Sequence, residues 1–318
     1  MRTVVIGGGS WGSVFATVLR GRGHEVTLAC RDPEQARAIE ATGHNPRYLR
    51  DVDLSGIRAA ALRDVSLDGA ELAVLAVPSR AFAEIAASLG GRCPVLILTK
   101  GLDPASGNRL SLLVRDRPLA VLSGPNHAEE IAQGLPAATV VASEDAGLAT
   151  ELQAALHSPA LRVYVNDDVI GVELCGAAKN VIAIAAGAVD GLRLGDNAKA
   201  GLIARGLAEL ARLGAACGAR SETFAGLAGM GDLIVTCWSR HSRNRRAGEL
   251  IAQSRTPAEA EREIGMVAEG LTTAPALRSL AHRLGIELPI TEAVCAVLDG
   301  ADPFGLASTL MAREPTTE

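Results

Sequence analysis

Aromatic residues are scarce in this 318-residue chain: two Trp, two Tyr and four Phe, 3% in all. The 48% of hydrophobic residues must therefore pack mainly as Ala, Val, Leu and Ile, and aromatic stacking is excluded as the main way of holding a ligand. Positive charge is also in deficit, with 31 Lys and Arg against 36 Asp and Glu and a net charge of −5. That balance excludes a protein whose main work is neutralising nucleic-acid phosphates. Six cysteines, at 30, 93, 175, 217, 237 and 295, form no Cys-x-x-Cys pair and no zinc spacing with histidine, so no metal site is expected. Buried thiols in a reducing, cytoplasmic setting are the expectation instead. No secretory leader pattern is read at the start, because Met1-Arg2-Thr3 runs straight into a strand broken by glycines. The apolar run 169–189 is long enough to test as a membrane span, but Glu173, Lys179 and Asn180 interrupt it and a span is not expected.

The length favours two domains. Residues 3–6 read as a β-branched strand, followed at once by Gly7-Gly8-Gly9-Ser10-Trp11-Gly12 and an apolar-periodic helix over 14–19. This is G-x-G-x-x-G in the strand-loop-helix context that dinucleotide binding requires. Gly7 permits the sharp turn, Gly9 lets the backbone approach a pyrophosphate, and Gly12 allows close packing of helix on strand. A second strand over 25–29 runs into Cys30-Arg31-Asp32-Pro33. Arg31 comes first and favours the 2′-phosphate of NADP, while Asp32 keeps NAD open.

Further buried-strand patterns over 72–77, 94–98 and 119–122 end in small or polar residues, the edge where ligands bind in open parallel sheets. Lys100 stands directly after one of them. Extended runs at 137–142 and 161–165 complete the sheet. From 168 onward helical periodicity takes over, in 168–190, 197–216, 243–253, 257–264, 272–284 and 291–299, with a frayed tail over 313–318. The expected fold is α/β: a Rossmann-type N-terminal domain over 1–166 with a largely parallel sheet, then an all-α C-terminal domain over 167–318.

Within the helical half, Lys179 is the only formal charge between Glu173 and Asp190. A lysine in an apolar helix either snorkels to water or has a partner and a task. Asp232, set among glycines in Gly229-Met230-Gly231-Asp232, could pair with it or could cap a helix. The run 240–246, Arg-His-Ser-Arg-Asn-Arg-Arg, reads equally as a solvated basic face or as an anion site, in which Ser242 caps a helix start beside Arg243 and Asn244.

Taken together, the glycine loop, Thr99-Lys100-Gly101-Leu102, Ser123-Gly124-Pro125, the segment 175–183 around Lys179-Asn180, Gly229 to Asp232, Ser-Arg-Asn-Arg-Arg at 242–246 and Val267-Ala268-Glu269-Gly270 resemble the bacterial-type NAD(P)-dependent sn-glycerol-3-phosphate dehydrogenases over nearly the whole length. The resemblance implies a sheet domain for the cofactor, a helical domain for the substrate, and reversible reduction of dihydroxyacetone phosphate to sn-glycerol 3-phosphate, the backbone of phospholipids. It implies that Lys179 is the general acid/base and that Lys100 contacts both cofactor and substrate. It places Gly124, Asn126, Asp232, Ser242, Arg243 and Asn244 along the substrate. Ser10, Trp11, Arg31, Ala128, Arg243, Val267 and Glu269 would lie along NADP(H) or NAD(H), with Gly7, Gly9 and Gly12. Asn126 departs from the family, which commonly has Ser or Thr there.

A homodimer is expected, and no nucleic-acid partner. Two other readings stay open on the sequence: a related two-domain hydroxy-acid or phosphosugar dehydrogenase, and an NADP-sensing regulator without turnover.

Overall fold

The computed structural model describes residues 1–305, and the tail expected to fray lies outside the described residues. The chain divides into two compact units, residues 1–100 with 109–173, and 101–108 with 174–318.

The first unit is built on one sheet of β1 (Arg2–Ile6), β2 (Glu25–Cys30), β3 (Arg58–Ala61), β4 (Leu72–Leu75), β5 (Val95–Ile97), β6 (Leu119–Ser123), β7 (Ala137–Ala142) and β8 (Leu161–Asn166). Their order across the sheet is 3-2-1-4-5-6-7-8. Every neighbouring pair is parallel except β6 with β7. Val5, Leu72, Val74, Leu75 and Leu96 are almost fully buried, as in a parallel sheet covered on both faces. The helices of this unit are α1 (Ser10–Gly21), α2 (Pro33–Thr42), α3 (Ser79–Ser88), α4 (Ala128–Ala132) and α5 (Ala146–Leu156). Phe15 and Leu19 of α1 and Leu152 of α5 enter one core with Leu28, Val74 and Leu122.

The chain leaves β1 toward β2 on one side and resumes with β4 on the other, so the strand order reverses beside β1, where open α/β sheets bind ligands. β3 is not legible in sequence. Its Arg-Ala-Ala-Ala has low strand propensity and is held extended by pairing with β2, Cys30 opposite Ala61.

Glu173 is a buried carboxylate that accepts from the Ser111 amide (2.8 Å) and hydroxyl (2.6 Å) and from Arg109 (3.1 Å). Burial pushes its carboxyl up, against those hydrogen bonds and the Arg109 charge, which pull it down.

The helices that follow are α6 (Val169–Gly191), α7 (Asp196–Ala216), α8 (Ser221–Ala225), α9 (Asp232–Trp238), α10 (Arg243–Ala252), α11 (Pro257–Ile264), α12 (Gly270–Leu284) and α13 (Pro289–Leu298). By length and composition α6 could cross a membrane, but 89% of its apolar window is buried inside the protein, which makes it a core helix. Glycines let its neighbours approach to backbone distance. A Cβ on Gly187 would overlap the Arg245 carbonyl oxygen, one on Gly248 would overlap that of Ile184, and one on Gly270 would lie 2.6 Å from that of Asn180. Five of the six cysteines are buried and Cys217 is half-buried.

Candidate functional site

The turn from β1 into α1 is the first candidate element. Gly7 has a φ of +122° and a Cβ there would press on the Ala76 carbonyl just past β4, so only glycine fits at the point where the strand order reverses. Gly12 lies so close to the Gly7 carbonyl oxygen that a Cβ would overlap it, while a Cβ on Gly9 would meet nothing within 4 Å. Gly9 is the N-cap of α1, with no side-chain cap and no acidic residue in the first turn. Ser10 and Trp11 thus open a helix whose amides and positive dipole end face no competing carboxylate, and this cradle fits a pyrophosphate.

The loop rests on a buried amide pair that the sequence did not announce. Asn45 donates to Gly8 O (3.0 Å) and Ser13 Oγ (2.9 Å), and Gln35 donates to Gly8 O (2.6 Å) and Asn45 Oδ1 (3.1 Å). Nothing in the local pattern marks Asn45. It is one polar residue in a turn until the fold brings it under the loop.

Arg31 is exposed directly after β2. Asp32, its competitor for the ribose, caps α2 by accepting from Glu34 N at 2.9 Å. Across the sheet, Lys100 follows β5 and donates to Gly124 O (3.1 Å) and Asn126 Oδ1 (2.8 Å). Gly124 needs its φ of +146°, because a Cβ would sit 2.9 Å from Thr139 Cα. Asn126 also donates to Thr139 Oγ1 (3.3 Å), which itself donates to Ser123 O (3.0 Å). Asn126 therefore orients Lys100. Ala128 is buried at the first position of α4.

In the helical unit Lys179 does not snorkel: it is 6% exposed, on α6. Its Nζ donates to Asp232 Oδ1 and, at 2.8 Å, to Thr236 Oγ1. Asp232 is 1% exposed and opens α9 after a π-helical turn at Leu227–Gly231. Within that turn only glycine fits at 229, since a Cβ there would overlap the Phe224 carbonyl. Asp232 therefore pairs with the lysine and makes no side-chain cap. Thr236, one turn further along α9, donates to Asp232 O at 2.6 Å and was missed in sequence, where only its i+4 spacing from Asp232 could have flagged it. Beside this pair, burial pushes the Cys237 thiol up to about 12, with Lys179 and Lys199 pulling it down and Asp232 and Asp190 adding to the rise.

Ser242 caps α10 by accepting from Arg245 N at 3.2 Å. Helix geometry leaves the first amides of α10 without intrahelical acceptors. Asn244 donates to Asn180 Oδ1 (2.9 Å) and accepts from Gly270 N (2.8 Å), tying this helix start to the residue beside Lys179. Arg243 is exposed and donates to Val267 O (3.0 Å), two residues before Glu269, the N-cap of α12. The arginine run is thus not one solvated face: Arg243 faces outward at a helix N-terminus, Arg245 turns inward to Asp190 (2.6 Å), and Arg246 pairs with Glu249 and Glu263.

Residues 2–149 match the N-terminal family of NAD-dependent glycerol-3-phosphate dehydrogenase, and residues 168–307 match its C-terminal family. A protein of Paucimonas lemoignei named glycerol-3-phosphate dehydrogenase [NAD(P)+] is 45% identical, covering 100% of this chain and 98% of its own. One of Moorella thermoacetica with the same name is 46% identical over 99% of this chain and 96% of its own. The crystal structure of a Coxiella burnetii glycerol-3-phosphate dehydrogenase superposes with a TM-score of 0.94 at 38% identity, covering 98% of this chain and 99% of that one. The chain belongs to the NAD-dependent glycerol-3-phosphate dehydrogenase family.

Proposed function

We propose that this chain reduces dihydroxyacetone phosphate reversibly to sn-glycerol 3-phosphate, with Lys179 as the proton donor and NADP(H) favoured over NAD(H). The observation that carries the reading is the pair of adjacent residues Lys179 and Asn180. One is held by Asp232 and Thr236, and the other is tied through Asn244 to a helix start suited to a phosphate. A proton donor and an anion site are thereby fixed to neighbouring positions of one buried helix.

A bound reduced nicotinamide supplies the hydride that reaches the C2 carbonyl carbon. The chain's part is the charge and the proton. As negative charge grows on the carbonyl oxygen, Lys179 Nζ gives it a proton, so that substrate, reduced cofactor and one proton become the alcohol and oxidised cofactor. Asp232 and Thr236 fix the ammonium in one direction, which spares the transition state that ordering cost. Lys100, oriented by Asn126 and the Gly124 carbonyl, holds a second positive charge for substrate and cofactor. Arg243, Ser242, Asn244 and the first amides of α10 receive the phosphate, whose binding energy orients the reacting carbon.

On the cofactor side, Gly7, Gly9, Gly12, Ser10 and Trp11 line the pyrophosphate cradle, with Ala128, Val267 and Glu269 further along the cofactor. Arg31 takes the 2′-phosphate, a reading supported by the use of Asp32 as a helix cap.

The product would serve phospholipid synthesis in the cytoplasm, where free thiols such as the buried Cys175 and Cys237 stay reduced. A homodimer is part of the same proposal, supported by Met230, Ile234 and Trp238, each more than 40% exposed at four-residue intervals.

The test is oxidation of NADPH and NADH, followed by absorbance with dihydroxyacetone phosphate and with a panel of 2- and 3-keto acids. Turnover confined to the phosphorylated ketone, faster with NADPH, is expected; turnover with a keto acid alone would overturn the reading.

A further inference from the structure

The function above leaves unused a charged cluster of the helical unit in which Lys199 is buried and Asp190 and Arg245 are half-buried. Asp190, near the end of α6, accepts from Lys199 Nζ with both oxygens (3.0 and 2.8 Å) and from Arg245 Nη1 (2.6 Å). The Lys199 side chain is 5% exposed and its ammonium lies 4.8 Å from the centre of the Trp238 ring. Arg245 also donates to Ser239 O (3.3 Å), and Glu249 lies 3.8 Å from it. Two cations on α7 and α10 thus converge on one carboxylate of the helix that carries Lys179, about three turns further along.

An ion cluster partly withdrawn from water in this way adds little net stability over apolar residues of the same volume; its best attested contribution is to fix register. Glycines supply little register of their own at the contact between α6 and α10. Gly187, Gly191 and Gly248 bring the two backbones together along a seam to which they contribute no side chain: a Cβ on Gly191 would lie 2.7 Å from Glu249 O and 2.8 Å from Ala252 Cβ, and those on Gly187 and Gly248 would overlap carbonyl oxygens. Such a seam allows close approach but leaves sliding and rotation weakly opposed. Two polar ties oppose them, Asn180 with Asn244 at the start of α10 and Asp190 with Arg245.

We propose that Asp190, through Arg245 and braced by Lys199, is a positioning residue that sets the N-terminus of α10 at a fixed place on the Lys179 helix and thereby tunes affinity for the substrate phosphate. The inference rests on the reading of α10 as the phosphate site. Asp190 touches neither substrate nor cofactor in this scheme and acts only on where Arg243 and the free amides of α10 stand.

The test uses Asp190→Asn and, in case that variant folds poorly, Arg245→Met, which keeps the Lys199–Asp190 pair. Each should raise KM for dihydroxyacetone phosphate about tenfold, with kcat and the NADPH KM changing by less than about threefold. Calorimetric affinity for inorganic phosphate should fall by the same factor, and reduction of dihydroxyacetone, which lacks the phosphate, should keep its rate. Arg245→Lys, which retains a cation for Asp190, should recover most of the loss. A lowered melting temperature with unchanged KM and phosphate affinity in both variants would overturn the inference, as would an equal loss with dihydroxyacetone. If the wild type binds phosphate in an Asp190-dependent way yet does not reduce dihydroxyacetone phosphate, the proposed function fails and the positioning role stands.

Discussion

The glycine loop of the sheet unit and the Lys179 helix of the helical unit solve opposite problems. At the loop, side chains are removed: Gly7 and Gly12 leave backbone against backbone, and a Cβ on Gly9 would meet open space. At α6 charge is placed where it is expensive, in a helix whose neighbours are almost all buried and apolar, and the expense is offset by Asp232 and Thr236. The first region offers shape and exposed amides, and a methyl group added at Gly7 or Gly12 has no room. The second offers one charged group held in place, and on the proposed function its partners matter as much as the group itself.

If that contrast holds, the largest single loss comes from the charged region. Lys179→Ala should lower kcat by about 10²- to 10⁴-fold at saturating substrate, the usual worth of a general acid. The same change leaves Asp232 buried without its cation, so the variant should also melt lower. Near-normal kcat would remove Lys179 from the chemistry and leave it a structural ion pair.

A smaller effect, on a different parameter, is expected at the loop. Gly12→Ala forces the Gly7 carbonyl or α1 to shift and should cost about 1–3 kcal/mol of stability, the usual price of overpacking. The KM for NADPH should rise while kcat at saturating cofactor changes less. A variant that bound NADPH normally would show that α1 can retreat without disturbing the cradle.

The two regions also differ in how far they can be read from the chain. The loop is six consecutive residues after a β-branched strand, so motif and context were legible together, although Ala76, the neighbour that excludes a side chain at Gly7, is named only by the fold. The seam between the helices was half legible: Gly187 and Gly191 stand in the sequence, but their partners Arg245 and Glu249 are named only by the fold. For Lys179 the sequence left snorkelling and pairing both open. Asp232 lies 53 positions away, and the partners of Thr236 and Asn180 are named only once α6, α9 and α10 are packed. Asn45 under the loop and β3 at the sheet edge share that fate, since long-range pairing rather than local propensity places them. Where the sequence reading went beyond local pattern, at Ala128, Asn126 and Glu269, it did so through family resemblance.

The distinction between NADP and NAD is sharper than composition allows. Arg31→Asp removes a cation at the end of β2 and adds a carboxylate that the Asp32 cap cannot supply. The ratio of kcat/KM for NADPH over NADH should fall about tenfold, in line with the loss of a charge-assisted hydrogen bond. An unchanged ratio would assign the 2′-phosphate to other residues.

The smallest effect is expected at Asn126. Asn126 spans two partners, accepting from Lys100 Nζ at 2.8 Å and donating to Thr139 Oγ1 at 3.3 Å. A serine at 126 is too short to keep both, yet Lys100 retains the Gly124 carbonyl at 3.1 Å, and a water can enter the space that the amide leaves. The net worth of one such hydrogen bond is about 1 kcal/mol, so Asn126→Ser should raise KM for dihydroxyacetone phosphate by no more than about fivefold. Asn126→Asp separates geometry from charge at the same position. It is similar in size and still accepts from Lys100, but it adds a negative charge beside a lysine that the proposed function assigns to an anionic substrate. Its KM should therefore rise more than that of the serine variant, and the gap should narrow with added salt if the charge reaches the substrate through solvent. Equal KM values for the two variants would mean that Asn126 only orients Lys100 and that a charge placed at 126 is not felt where the substrate binds.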